Sequence, residues 1–93
     1  MRVPPGTSCA DIVKMKVLGE SNQGREIIAL KVTRNARTKK DGSRPAALYT
    51  ATQHAREWIS TEVDRRTLHW FIDQYDSGNA EIQKLLTHVE LWF

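Results

Sequence analysis

"AALYTATQHAREWIS", residues 46–60, decides how the rest of the chain is read. It opens with a run free of charge, Ala46 to Thr52, that suits a central strand buried on both faces. It turns polar at Gln53 and His54 and then, from Trp58, takes up helical spacing. A strand that ends where a helix begins is the building unit of an α/β sheet. His54 and Glu57 lie three positions apart across that junction, so the bend brings their side chains to one side. Imidazole nitrogen and carboxylate oxygen are both good zinc donors. Open α/β sheets also place their ligands at the carboxyl ends of strands. Spacing alone leaves two readings open: half of a metal site, or a capped helix start with a solvated histidine.

Upstream, "VKMKVLGES" alternates, Val13, Met15 and Val17 against Lys14, Lys16 and Leu18, as a half-buried strand does. "SNQG" is a turn in which Asn22 and Gly24 suit positive φ. "REIIALKVTR" is a second strand, with Ile27, Ala29, Lys31 and Thr33 opposing Ile28, Leu30 and Val32, so the two are expected to form an antiparallel hairpin. "NARTKKDGSRP" reads as a loop with an Asp41-Gly42 turn.

Downstream, residues 58–75 form a helix whose apolar stripe is read as Ile59, Val63, Trp70 and Phe71, extended by Leu68 and Tyr75. Glu57 and Glu62 fall near its start, where the helix dipole favours negative charge. Trp58 is read as packing. "DSGN" ends the helix, and Asn79 caps a second one carrying Ile82, Leu85, Leu86 and Val89. "HVELWF" is a last strand that alternates Val89, Leu91 and Phe93 with His88, Glu90 and Trp92. The fold class is therefore α/β, in the order strand, strand, strand, helix, helix, strand, with residues 1–11 an irregular lead-in and 12–93 the folded part. The chain stops at Phe93 inside an apolar strand. The expectation is the front part of a larger domain, with an unpaired C-terminal strand edge through which copies could associate.

Composition sets outer limits. Ninety-three residues make one small domain at most, and 40% hydrophobic residues with three tryptophans mark a globular chain. No apolar run approaches the ~20 residues of a membrane span. One cysteine, Cys9, excludes an internal disulfide and a cysteine-built zinc site. There is no H-E-x-x-H, and His69 and His88 take structural roles. A net charge of +3 raises a polyanion-binding module as a rival, working through Arg34, Arg37, Lys39, Lys40 and Arg44. That loop has neither an aromatic platform nor a reading helix, so a solvated connection is preferred and no nucleic-acid partner is expected.

The motifs then add what spacing does not. "LGES-NQGREIIALKV", with Gly19, Ser21, Gly24 and Arg25 in a G-x-S-x-x-G-R hairpin, followed by "RPAALYTATQHAREWIS", resembles the opening of the zinc metallocarboxypeptidases, the carboxypeptidase A and B family. "HVELWF" resembles the strand before that family's N-P-[DN]-G motif, and the likeness covers about residues 12–93. The resemblance implies the N-terminal portion of an α/β/α sandwich around a mixed sheet. It implies that His54 and Glu57 are the first two ligands of Zn2+, and that Arg56 helps hold the substrate. The implied reaction is hydrolysis of the last peptide bond at polypeptide C-termini by a metal-activated water. Secretion or a periplasmic location is implied likewise.

The sequence departs from the family in lacking counterparts for the third zinc ligand, the carboxylate-clamping arginine and the general-base glutamate, and with them the specificity pocket. The expectation is thus that the parent protein is a zinc carboxypeptidase and that this 93-residue chain is inactive alone. The alternative is a non-catalytic interaction or polyanion-binding module that retains a metal half-site.

Overall fold

β-favouring residues on either side of the "SNQG" turn produce the expected hairpin. β1 (Val13–Glu20) and β2 (Glu26–Val32) pair antiparallel from Val13 opposite Val32 to Glu20 opposite Glu26. Gly24 takes a φ of 76° and its N–H donates to the Ser21 carbonyl at 2.9 Å, a conformation that glycine adopts at no steric cost. The register slips between Val17 and Gly19, where a bulge adds twist to β1. The computed structural model describes residues 11–93. The lead-in expected over residues 1–11 and the reading of Cys9 lie, Asp11 apart, outside the described residues.

After β3 (Ala46–Leu48) come α1 (Trp58–Asp76), α2 (Ala80–His88) and β4 (Glu90–Trp92), so the element order is the expected one. The four strands form a mixed sheet in the order β1-β2-β4-β3, with β3 and β4 parallel and the other pairs antiparallel. Parallel neighbours need a long crossover, and α1 and α2 supply it. His88 closes α2 and does not open the last strand.

Two expectations about strands are reversed. β3 was to be central and buried on both faces. It lies at the sheet edge, all three residues are exposed, and Leu48 is 72% exposed. Double burial requires layers packed on both faces, and among the described residues β3 has one neighbouring strand, β4, and little cover on its faces. β4 was to be the unpaired edge. It lies inside the sheet, with Leu91 opposite Val32 of β2 on one side and Ala47 of β3 on the other. Phe93 and Leu30 exchange both backbone hydrogen bonds, at 2.8 and 2.9 Å.

The core gathers Ile12, Val13, Val32, Leu68, Ile72, Leu86 and Leu91, with Tyr49 and Phe93 stacked beside it at a centroid distance of 4.7 Å. Both helices feed this one cluster. The apolar stripe assigned to α1 holds only in part: Leu68, Phe71 and Tyr75 pack in or against the core, and Ile59, Val63 and Trp70 do not. The buried residues of α1 are Leu68 and Ile72, while Ile59, Val63 and Trp70 are half to three-quarters exposed. At 100° per residue, Ile59, Val63 and Trp70 fall together on the side opposite Leu68 and Ile72. A helix with two apolar sides presents only one of them to a single sheet. Trp58, read as packing, is 76% exposed for a related reason, since the core lies under the C-terminal half of α1 only. Met15 and Val17 of β1 are exposed as well, so β1 is buried only at its start.

The other face of the sheet is covered by the loop after β2. Lys31 is fully buried there, its Nζ donating to Asp41 at 2.8 Å and to the Lys39 carbonyl at 2.7 Å. Hydrogen bonds from Lys31 and Lys16 hold the Asp41 carboxyl down at about 2. Arg44 donates to the Thr33 hydroxyl and to the Arg34 carbonyl, each at 2.7 Å. Two of the loop's charges, Asp41 and Arg44, thus pin the loop to the sheet.

Candidate metal half-site

Beyond β3 the Tyr49 N–H still donates to the Trp92 carbonyl, at 2.7 Å, and then the chain leaves the sheet. It redirects at Thr52, which takes a left-handed φ of 51°. That conformation is uncommon for any non-glycine residue and most costly for a β-branched one. Residues 53–57 then turn back to α1, and the Glu57 N–H donates to the His54 carbonyl at 3.0 Å. This turn places His54 and Glu57 side by side.

Glu57 is the N-cap of α1, with φ −98° and ψ 41°, yet its side chain makes no capping hydrogen bond. Its Oε2 lies 2.7 Å from Nδ1 of His54 instead. Glutamate is not among the residues favoured at an N-cap, so the sequence gives up a local advantage to put a carboxylate beside an imidazole. The two side chains remain 72% and 47% exposed, open to a solute.

An imidazole nitrogen and a carboxylate oxygen held in contact are donor types that zinc accepts. Chemically the pair fits the ion. Among the described residues no group of three or more His, Cys, Asp and Glu side chains could hold a metal, so His54 and Glu57 find no third partner of that kind there. His69 is half-buried in the middle of α1, and Nδ1 of His88 lies 2.9 Å from the Lys84 carbonyl within α2. Neither joins His54 in a group of metal-binding side chains among the described residues.

Arg56 is exposed and lines an open hollow with Trp58, Ile59 and Glu62. Among the described residues it forms no ion pair. The neighbouring Glu62 is engaged, accepting from Arg65 at 2.5 Å and from Arg66 at 2.9 Å, and these bonds lower its carboxyl to about 2. Glu62 thus acts within the helix, while Arg56 faces solvent.

The sequence reading missed Thr52, Ser60 and Thr61. The Thr52 N–H donates to Ser60 Oγ at 2.9 Å, Ser60 Oγ–H donates to the Glu57 carbonyl at 2.6 Å, and the hydroxyls of Thr52 and Thr61 are in contact. One signal was present in the sequence: a glutamate where a helix start calls for Ser, Thr, Asp or Asn.

Known proteins share this arrangement of sequence. Residues 6–93 match the family described as zinc carboxypeptidase. A zinc carboxypeptidase of Saccharothrix mutabilis subsp. capreolus is 31% identical over 86 residues, which is 92% of this chain and 19% of that protein. Metallocarboxypeptidase A of Trichophyton rubrum is 35% identical over 74 residues, 80% of this chain and 17% of that protein. The chain therefore spans about a fifth of the length of these relatives. With the family pattern matched over nearly all of its length and a zinc-compatible pair at the turn where strand gives way to helix, the chain belongs to the zinc carboxypeptidase family.

Proposed function

We propose that residues 12–93 form the N-terminal part of a zinc carboxypeptidase catalytic domain, in which His54 and Glu57 are two of the protein ligands of the zinc ion. The observation that carries this reading is the 2.7 Å approach of His54 Nδ1 to Glu57 Oε2 at an exposed strand–helix junction. Zinc, when bound, supplies Lewis acidity toward a peptide carbonyl and toward water. His54 contributes a lone pair without charge, and Glu57 contributes a negative charge that offsets the ion's own. Arg56, exposed beside them, offers a guanidinium suited to carbonyl or carboxylate oxygens of a polypeptide C-terminus. The reaction supported is hydrolysis of the C-terminal peptide bond. Location outside the cell or in the periplasm rests on family habit alone.

Two protein ligands make a weak zinc site, and no general base stands beside them among the described residues. The 93-residue chain by itself is accordingly expected to show no peptidase turnover. The test pairs an assay with a titration. Peptide substrates with free C-termini are incubated with the chain at saturating zinc, and zinc binding is measured for the wild type, His54→Ala and Glu57→Ala. Weak binding lost in both variants, without turnover, supports the reading. Turnover by the chain alone overturns the inactivity, and binding indifferent to both substitutions overturns the ligand assignment.

A further inference from the structure

We propose that Ser60 is the positioning residue of the His54–Glu57 pair, acting through the strained backbone of Thr52; this rests on the reading of that pair as zinc ligands. The Ser60 side chain spans the turn that carries both donors. It accepts the Thr52 N–H at 2.9 Å, two residues before His54, and donates to the main-chain carbonyl of Glu57 at 2.6 Å. A hydroxyl has one proton and two lone pairs, so it makes both bonds at once. Alanine makes neither, and threonine can make both.

The need for such a clamp follows from two local costs. Thr52 occupies a left-handed φ of 51°, which a β-branched residue leaves unless its surroundings hold it there. Glu57 gives its side chain to His54 and so does not cap α1. Ser60, in the first turn of α1, offsets the first cost and braces the backbone of the uncapped residue. It anchors the Thr52 amide, and it ties the carbonyl of Glu57 to the helix alongside the Ser60 N–H, which donates to that carbonyl at 3.0 Å. Thr61 touches the Thr52 hydroxyl from the next position and adds a second hold on the same residue. With the Ser60 hydroxyl gone, Thr52 relaxes toward negative φ. Residues 53 and 54 then swing away from the helix start, and the imidazole parts from the carboxylate. Outer partners that orient ligands in this way typically account for 10–100-fold in metal affinity.

The experiment compares the wild-type chain with Ser60→Ala, Ser60→Thr and the double variant Ser60→Ala/Thr52→Gly. Three quantities are read: amide hydrogen exchange at Thr52, the His54–Glu57 side-chain contact by NMR, and the zinc dissociation constant. Ser60→Ala is expected to speed exchange at Thr52 at least about 10-fold, to break the contact and to weaken zinc about 10-fold. Ser60→Thr is expected to restore all three. The double variant should recover much of the contact, because glycine accepts the left-handed φ without a clamp; a merely structural serine gives no such rescue. An unchanged His54–Glu57 contact in Ser60→Ala, or a folded double variant with no recovery, overturns the proposal. Should the wild type bind no zinc, the ligand reading falls, and exchange and contact still decide the role of Ser60.

Discussion

The two ends of α1 solve the same structural problem in opposite ways. At the corner between α1 and α2, Asn79 caps α2 as an N-cap should, its side chain accepting from the N–H groups of Glu81 at 3.1 Å and Ile82 at 3.4 Å. Its amide also donates to Gln74 at 2.9 Å, and Leu68 and Ile72 anchor that half of α1 in the core. At the other end Glu57 caps nothing, Thr52 is strained, and Trp58, Ile59 and Val63 are exposed. One end is built for stability. The other departs from local rules at several positions within one turn, and such departures concentrate where a protein keeps its site.

The contrast can be broken from either side. Leu68→Ala removes a buried side chain from the core and is expected to cost about 3 kcal/mol, whereas Ile59→Ala on the exposed side should stay within about 0.5 kcal/mol. Chemical denaturation of both variants checks this. Equal losses would mean that α1 buries both of its apolar sides.

Substitution at the two N-caps separates site from scaffold. Glu57→Ala is expected to weaken zinc binding by about 100-fold or more, at or above the top of the range for an outer partner, while stability moves by no more than about 0.5 kcal/mol because only an exposed pair is lost. Asn79→Ala should do the reverse, costing about 1 kcal/mol of stability and leaving zinc affinity unchanged. Calorimetric titration with thermal unfolding on the same samples reads both quantities.

The smallest effect belongs to Glu62. Its folded carboxyl is lowered from 4.5 to about 2 by Arg65 and Arg66, so its contribution to stability is present above about 4.5 and is lost as pH falls toward 2. Glu62→Gln should therefore lie slightly below the wild type in melting temperature at neutral pH and converge with it between pH 4.5 and 2. A constant gap across that window would show that the two arginines do not act through charge.

Much of the fold could be read before the structure. The hairpin follows from a turn with Gly24 at positive φ between two alternating runs, and α2 follows from Asn79 and its apolar spacing. Expectations failed where neighbours decide the outcome. The charge-free run of β3 indicated burial, but a sequence cannot say how many strands lie beside it. The alternation in β2 did not show that Lys31 is buried, which happens because Asp41, ten residues on, folds back over it.

The sequence by itself determined the order of elements, the family, and the spacing that sets His54 and Glu57 three residues apart across a strand–helix junction. These are local properties, fixed by turn chemistry, periodicity and motif. Only the tertiary structure decided that β4 runs inside the sheet, which side of α1 is buried, and that one serine hydroxyl bridges Thr52 and Glu57. Each of these depends on residues distant in sequence, or on a backbone angle that no side-chain pattern announces.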